Sequence, residues 1–198
     1  MKYFIATKNQ HKLLELERIL KPLGIEVISE NDLDEPLADV NETGKTFEEN
    51  AIIKAKAGFM ATGLPSIADD SGLCVDYLDG APGIYSARFA GEPTDNAKNN
   101  EKLLNLLDGV PAEKRTARFV SAVACVFSLD HYFTVRGECE GHIGFEPKGT
   151  KGFGYDPLFI SEIGCFGELT DAQKDSVSHR GKSLDKLYNK LLETIKEV

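Results

Sequence analysis

Short β-type runs and helical periods alternate along the first part of the chain. Residues 3–6 and 26–28 form short runs with the pattern of strands. Between them, apolar residues recur at the spacing of a helix face until a proline and a glycine end the pattern, at Leu13, Leu16, Ile19, Leu20, Pro22 and Gly24. The pattern therefore predicts a strand, a helix and a second strand.

More helices and a β-hairpin are predicted further along. Thr46–Glu49 has the form of a capping box, which marks the start of a helix. Residues 118–129 and 132–140 are long β-type runs with two residues between them, the pattern of an antiparallel hairpin, so the sheet should be mixed. A helix is predicted over residues 95–108, with its leucines turned inward at Leu103, Leu104, Leu106 and Leu107. The last predicted helix carries one apolar face, at Leu184, Leu187, Leu191 and Ile195.

Two adjacent acids, Asp69 and Asp70, follow a short apolar run within the stretch Ser66–Gly91. The run predicts a buried strand that ends at the acids. Because isolating a charge from water is costly, a positive group is expected beside them. One interpretation is a solvated strand end followed by an Asp-Ser-Gly turn. The other is a divalent metal site, because Mg²⁺ prefers carboxylate oxygens.

The polar segment Thr7–Lys12 lies between the first strand and the first helix. Backbone N–H groups and the positive helix end meet at such a point, which favours an anion, and Lys8 and Lys12 add two cations. The alternative is that Thr7 or Asn9 only caps the helix and the lysines are solvated. The glycines of a Walker A loop are missing, so a P-loop is excluded.

A second source of polar groups is the helix after Thr46. Asn50 and Lys54 lie one turn apart on it, so both side chains should project to the same side. Glu42, in the loop before the helix, is a candidate for a second metal oxygen, although such loop glutamates are commonly only solvated.

The segment Gly149–Pro157 combines three glycines with two aromatic residues. Glycines allow close approach of a ligand, and the rings of Phe153 and Tyr155 could stack on a base, which contributes about 1–3 kcal/mol in single-strand binding. The alternative is a bulged strand end whose aromatic rings are buried. Lys174 and Ser178–Gly181 follow as further polar groups.

Composition limits the classes of function. The chain has 198 residues and a net charge of −9, which argues against non-specific binding to duplex nucleic acid. No apolar run approaches the roughly 18 residues that span a bilayer, and the N-terminal run is too short for a signal peptide. The four cysteines lie far apart, with no zinc-ligand spacing. A single domain over residues 1–198, located in the cytoplasm and without nucleic-acid or membrane partners, is expected.

Five motifs in this order resemble the Ham1-like family of purine nucleoside triphosphate pyrophosphatases, especially its bacterial branch. They are TKNQHK, FEENAIIKA, IADDSGL with GAPGIYSARF, GFGYDP and SHRG, and they extend over nearly the whole chain. One departure is visible, because Lys8 replaces the glycine that is usual in the first motif. The replacement affects the expected backbone conformation where this motif would bind the phosphates of the nucleotide.

The resemblance implies a fold, a reaction and partners. The fold would be α/β, with a long curved mixed sheet flanked by helices and two lobes with the nucleotide cleft between them. The reaction would be Mg²⁺-dependent hydrolysis of ITP, dITP or XTP to the monophosphate and pyrophosphate. The substrate would be a purine nucleoside triphosphate, and the assembly a homodimer.

The resemblance also implies roles for particular residues. Asp70 would be the proton acceptor and a metal ligand, and Ser71 would contact the substrate. Glu42 would be a second metal ligand, with Asp69 or Glu49 as alternatives. The triphosphate would be held by Thr7, Lys8, Asn9, Gln10, His11 and Lys12. The nucleoside would be bound by Phe153, Gly154, Tyr155, Asp156, Lys174, His179 and Arg180.

Two other functions stay open at this point. A Maf-type pyrophosphatase has a related fold and acts on other nucleotides, although its N-terminal Ser-Pro-Arg-Arg signature is missing here. A non-catalytic nucleotide sensor would keep the pocket without the metal chemistry, although Asp69, Asp70 and the lysines argue against it.

Overall fold

The computed structural model describes residues 1–33, 35, 37 and 40–196, apart from the side chain of His11. The strands are β1 (Lys2–Ile5), β2 (Glu26–Ile28), β3 (Ser66–Val75), β4 (Thr116–Val126), β5 (Tyr132–Ile143), β6 (Phe159–Ser161) and β7 (Gly164–Cys165). The helices are α1 (Gln10–Leu20), α2 (Phe47–Thr62), α3 (Asn96–Leu106), α4 (Asp171–Val177) and α5 (His179–Lys196), with short 3₁₀ turns between some of the elements.

The strands form one seven-stranded sheet in the order β2-β1-β3-β4-β5-β6-β7, flanked by helices. β1 pairs in parallel with β2 and with β3, whereas β6 pairs antiparallel with both β5 and β7. The expected α/β class and mixed sheet are therefore confirmed. The predicted hairpin corresponds to β4 and β5, which are neighbours in the sheet and are joined by a turn between Phe127 and His131.

The prediction that a strand ends at the paired acids is wrong. β3 runs through Asp69 and Asp70 without interruption as far as Val75, so Ser71 and Gly72 form no turn. Both acids are less than a tenth exposed. A strand can carry them because lysines supply the compensating charge, as described below.

Two local signals explain where α2 begins and ends. The hydroxyl of Thr46 accepts a hydrogen bond from the N–H of Glu49 at 3.1 Å, as an N-cap should. The Glu49 carboxylate, however, accepts from the N–H of Lys45 at 2.6 Å, one residue before the cap. Gly63 ends the helix with φ 68°, in the left-handed region that glycine adopts at low cost.

The chain divides into two compact units, each built from separate segments. The first unit comprises Met1–Asp70, Ser121–Gly137 and Ser183–Val198, and the second comprises Ser71–Val120 and Glu138–Lys182. Among the described residues, the first unit contains an apolar core that extends from β1 to α5. A smaller cluster of alanines and Val126 lies between α2 and the sheet.

The second unit has a separate core that includes Phe119, Phe159 and Phe166. Leu103 on α3 and Leu107 directly after it are fully buried, as predicted. Leu106 is 46% exposed, so its predicted inward position is wrong. Leu104 is partly buried and packs at the edge of the core. Among the described residues, no helix is long and apolar enough to cross a membrane.

Candidate active site

In the first unit, the two acids of β3 meet lysines from two different helices. Lys12 of α1 lies 2.6 Å from Asp69 Oδ2, and Lys54 of α2 lies 3.0 Å from Asp70 Oδ1. Successive side chains of a strand point to opposite faces of the sheet, so neighbouring acids reach different helices. The fold therefore gives Asp69 and Asp70 different partners, a distinction that the sequence could not make.

Lys54 also joins Asp70 to the loop before α2. Its ammonium lies 3.3 Å from Glu42 Oε1, so the carboxylates of Asp70 and Glu42 share it. Asn50 Nδ2 donates to the other oxygen of Asp70 at 3.2 Å. Asp70 is thus held by two residues of α2, one turn apart.

Burial and charge shift the pKa values of this pair. Burial raises the pKa of Asp70 above its usual range, and the opposing effects of Lys54 and Asn50 do not cancel it. For Lys54, burial acts to lower the pKa, but the carboxylates of Asp70, Asp69 and Glu42 outweigh it and raise the pKa. Lys54 is therefore an ammonium at neutral pH. Asp70 is a carboxyl group whose charged form is costly here, which suits a proton acceptor.

The donor set fits a Mg²⁺ ion that is bound partly by its substrate. Mg²⁺ is usually held by one or two carboxylates together with phosphate oxygens and water. Asp70 and Glu42 supply two carboxylates that converge on one cationic group, Lys54 Nζ. The described residues contain no group of three or more His, Cys, Asp or Glu side chains that would form a complete metal site. Of the two candidate glutamates, Glu49 is engaged at the start of α2, whereas Glu42 shares Lys54 with Asp70.

The segment Thr7–Lys12 leads from β1 into α1, which begins at Gln10. Thr7 Oγ1 accepts from the N–H of Asn9 at 3.2 Å, and Asn9 Oδ1 accepts from the N–H of Lys12 at 3.3 Å. Asn9 therefore caps this helix, as the alternative interpretation predicted, but the prediction that both lysines are solvated is wrong for Lys12, which pairs with Asp69. The side chain of His11 lies outside what the structure describes. A depression of about 440 Å³ opens beside the segment, lined by Thr7, Lys8, Gln10, Glu30, Asn31 and Leu33.

In the second unit, Asp156 organises the glycine-rich segment. Its carboxylate accepts from the N–H of Phe153 at 2.7 Å and from Lys174 at 2.6 Å. Gly152 has φ 73°, and a Cβ there would lie 2.0 Å from Asp156 Oδ2. The glycine is therefore required by the close approach of this carboxylate as well as by its backbone conformation.

The two aromatic residues of this segment differ in exposure. Phe153 is 48% exposed, and the cations of Lys174 and Arg180 lie 5.1 and 5.9 Å from its ring centre. Tyr155 is buried, and its hydroxyl donates to the carbonyl of Ser86 at 2.8 Å. The expectation that both rings could stack on a base is therefore wrong for Tyr155, whose ring belongs to the core. The carbonyl of Gly154 accepts from Asn100.

His179 and Arg180 begin α5 and are both largely buried. The ring of His179 stacks on Phe119, with centres 4.8 Å apart. Arg180 Nη2 donates to Ser71 Oγ at 3.4 Å. Arg180 therefore connects Ser71 with Phe153, which makes three of the predicted substrate residues neighbours in the second unit.

Lys54 and Asn50 were not among the predicted site residues. Their spacing of one helical turn and their common direction could be predicted, but their target, Asp70, lies on a strand 16 to 20 residues away in sequence. Periodicity gives the direction of a side chain on its own element, whereas the partner depends on how α2 packs on the sheet.

The seven-stranded mixed sheet and the lysine-paired acids define an α/β protein whose polar groups suit a phosphorylated ligand. Residues 3–190 match the sequence model of the Ham1 family, so this chain belongs to that family. Its relatives include a protein from Desulforamulus reducens named dITP/XTP pyrophosphatase, which is 51% identical over 94% of this chain and 93% of the relative. Another protein with this name, from Haemophilus influenzae, is 49% identical over 96% of this chain and 98% of the relative.

Solved structures show the same fold. The HAM1 protein of Coxiella burnetii superposes with a TM-score of 0.91 at 37% identity, covering 98% of this chain and 99% of that chain. The Ham1 protein of Staphylococcus aureus gives a TM-score of 0.90 at 38% identity, covering 98% and 100%.

Proposed function

We propose that this chain hydrolyses dITP, ITP and XTP to the nucleoside monophosphate and pyrophosphate, with Mg²⁺ as cofactor. The observation that carries the proposal is the pair Asp69–Asp70 on β3, in which each carboxylate is held by a lysine. Membership of the Ham1 family and relatives named dITP/XTP pyrophosphatase support it. The chain would be a hydrolase of phosphoanhydride bonds that removes non-standard purines from the nucleotide pool.

Asp70 is the proposed proton acceptor. The oxygen of a water molecule forms a bond to the α-phosphorus, the bond from that phosphorus to the bridging oxygen of the β-phosphate breaks, and pyrophosphate leaves. Asp70 takes the proton that the water loses. Burial raises the pKa of Asp70, which makes it a better proton acceptor than an exposed carboxylate, while Lys54 holds its orientation.

Charge must also be neutralised, because a triphosphate repels an incoming hydroxide. When bound, Mg²⁺ would supply this neutralisation, and Asp70 and Glu42 are the residues that would hold it, with Asp69 as a further carboxylate nearby in sequence. Lys8 and Lys12 would bind phosphate oxygens together with Thr7, Asn9, Gln10 and His11. Each charge pair at about 4 Å is worth roughly 4 kcal/mol at an effective dielectric near 20.

The base would be selected by the second unit. Phe153 offers an exposed ring for stacking, and Asp156 and Lys174 fix the backbone around it. Inosine and xanthosine carry a 6-oxo group where adenosine has an amine. N–H groups of His179, Arg180 or the backbone of Gly154 and Tyr155 would donate to the oxo oxygen and leave the amine of adenosine without an acceptor. Ser71 would contact the substrate beside Arg180.

The deciding experiment is a measurement of pyrophosphate release with Mg²⁺ over ITP, dITP, XTP, GTP, ATP and pyrimidine triphosphates. We expect release from the first three and little from the others, with GTP rejected through a clash or an unpaired 2-amino group because it shares the 6-oxo group. Release mainly from pyrimidine nucleotides would instead support a Maf-like specificity. Binding of ITP without release from any nucleotide would support a nucleotide sensor.

Base selection has its own test. His179→Ala and Arg180→Ala should each reduce the ratio of kcat/KM for ITP to that for ATP, because the donors to the 6-oxo group are lost. Unchanged ratios would assign selection to backbone donors.

The remaining expectations concern the whole chain. We propose that residues 1–198 act as one domain, that the chain forms a homodimer, and that it works in the cytoplasm. Sedimentation of the purified protein tests the dimer, since a monomer would sediment with a mass near 21.7 kDa. The position of the nucleotide in a cleft between two lobes stays a prediction.

A further inference from the structure

Asn50 is buried among charged groups, yet no role for it follows from the reaction described above. It is completely buried, and both ends of its side-chain amide are used. Its Oδ1 accepts from the N–H of Gly44 at 2.9 Å, and its Nδ2 donates to Asp70 Oδ2 at 3.2 Å. One side chain thus connects the loop before α2 with the acid of β3.

The orientation of this amide is determined by its partners. The N–H of Gly44 is only a donor, so the carbonyl oxygen of Asn50 must face it. The NH₂ group then necessarily faces Asp70, where it supplies a donor to the carboxylate. Asn50 therefore favours the ionised form of Asp70 and fixes the direction of one of its oxygens.

At Gly44, the loop before α2 packs closely against Asn50 and Glu49 of that helix. A Cβ on Gly44 would lie 2.5 Å from Asn50 Oδ1, 2.8 Å from Asn50 N and 2.8 Å from the Cβ of Glu49. Two of these atoms belong to the backbone or to the first carbon of a side chain, so they cannot move aside without moving α2. Glu42 lies two residues before Gly44 and shares Lys54 with Asp70.

We propose that Asn50 is a positioning residue that fixes the Glu42 loop relative to Asp70, and that the reaction depends on this fixed relation. The inference rests on the proposed function. Lys54 attracts both carboxylates but is a flexible point charge, whereas Asn50 forms two directional hydrogen bonds from one rigid amide. Asn50 thereby sets the separation of the two carboxylates that would hold Mg²⁺.

The first test is Asn50→Asp, a change of nearly the same shape. The new carboxyl group keeps an acceptor for the N–H of Gly44, but it replaces the amide donor to Asp70 with a second acid beside that carboxylate. We expect kcat to fall by about 10- to 100-fold, the usual effect of losing an outer partner of a metal-binding group. KM for ITP should stay near the wild-type value, because the side chain of Asn50 bonds to Gly44 and Asp70 rather than to a proposed phosphate-binding or base-binding residue.

The matched control is Asn99→Asp in the second unit. Asn99 is 2% exposed, accepts from the N–H of Ala90 at 2.7 Å and donates to the carbonyl of Ala87 at 3.0 Å. It makes the same kind of bridge without a carboxylate partner. Both variants should unfold at a lower temperature than the wild-type protein. At a temperature where both are folded, only Asn50→Asp should show the fall in kcat.

A second readout does not depend on turnover. Calorimetry with a non-hydrolysable ITP analogue, with and without Mg²⁺, gives the gain in affinity that Mg²⁺ provides. Asn50→Asp should reduce that gain and leave the metal-free affinity unchanged. Gly44→Ala, which displaces the same loop from its other side, should also reduce the gain in affinity that Mg²⁺ provides. The fold loss of this gain in the double variant should be smaller than the product of the two single fold losses, because both changes disturb the same contact.

These measurements separate the two proposals. A wild-type protein that binds ITP but releases no pyrophosphate from any triphosphate would contradict the proposed function itself. An active wild-type protein with normal kcat and a normal Mg²⁺ gain in Asn50→Asp would overturn the role of Asn50. The same conclusion would follow if Asn99→Asp lost as much kcat as Asn50→Asp. If Asn50→Asp does not fold, the kcat of Gly44→Ala decides the matter in the same way.

Discussion

At the scale of single residues, the two acids of β3 are separated by the geometry of the strand. Asp69 contacts Lys12 from α1, whereas Asp70 contacts Lys54 and Asn50 from α2. Adjacent residues of a strand alternate between its faces, so one acid is set beside the proposed phosphate-binding helix and the other beside the Glu42 loop. Removing the carboxylate of Asp69 should therefore change the kinetics differently from removing that of Asp70.

Asp70→Asn should abolish turnover and leave nucleotide binding measurable. An amide cannot accept the proton of water, and loss of a general base typically costs about 10²- to 10⁴-fold in kcat. Pyrophosphate release and equilibrium binding of ITP measure the two effects separately. Asp76→Asn is the control, because Asp76 pairs with Arg118 and Thr116, neither of which is a proposed site residue. Near-normal turnover in Asp70→Asn would remove Asp70 from its role.

Asp69→Asn should instead raise KM. Lys12 loses the charged partner that holds its ammonium beside the start of α1, and a charge-assisted hydrogen bond is worth about 1.5–3 kcal/mol, or at least about tenfold in affinity. Steady-state kinetics with ITP give KM and kcat separately. A fall in kcat at unchanged KM would mean that Asp69 acts at the reacting phosphate and would contradict the assignment.

At the scale of elements, the segment after β5 shows how one carboxylate organises a loop. Asp156 holds the N–H of Phe153 and the ammonium of Lys174, and Gly152 leaves the space that this carboxylate occupies. The exposed ring of Phe153 is presented to solvent by this arrangement. The proposed base-binding surface therefore depends on a residue that need not touch the base.

Gly152→Ala should weaken nucleotide binding more than it slows the reaction. The new Cβ would overlap the Asp156 carboxylate, and the φ of 73° adds strain for any residue with a side chain. KM for ITP should rise while kcat changes less. Gly109→Ala is the control for strain, because Gly109 has φ 70° with no atom within 4 Å of the added Cβ. Equal effects of the two changes would show that strain alone explains the result.

At the scale of the whole molecule, stability depends on pH through buried ionisable groups as well as through the site. Tyr3 on β1 is 3% exposed, and burial, with a smaller effect of Cys125, raises its pKa from 10.0 to about 12. The folded protein keeps this proton where the unfolded chain loses it. The contribution of Tyr3 to stability is therefore complete below pH 10 and is lost as the pH rises towards 12.

Tyr3→Phe should remove this alkaline loss. Denaturant unfolding between pH 9 and 12 should show a decline in wild-type stability that is larger by roughly 2–3 kcal/mol than in the variant, since each unit of pKa corresponds to about 1.36 kcal/mol. At pH 7 the two proteins should differ only by the effect of the hydroxyl on packing. Parallel declines in both proteins would assign the alkaline loss to other groups.

The sequence by itself determined the elements, the family and the residue types of the site. Helical periodicity, the Thr46 cap and the hairpin pattern depend on neighbours in the chain, so they are confirmed as α2, β4 and β5 with small shifts at their ends. The five ordered motifs were sufficient to recognise the Ham1 family.

Only the tertiary structure decided which of these residues meet. The partner of Lys54 is a carboxylate on another element, the ring of Tyr155 is buried while that of Phe153 is exposed, and β3 continues through its two acids. The energy that makes a buried Asp69 or Asp70 acceptable comes from lysines that are distant in sequence. A local sequence pattern cannot reveal these ion pairs, because they form only when α1 and α2 pack on the sheet.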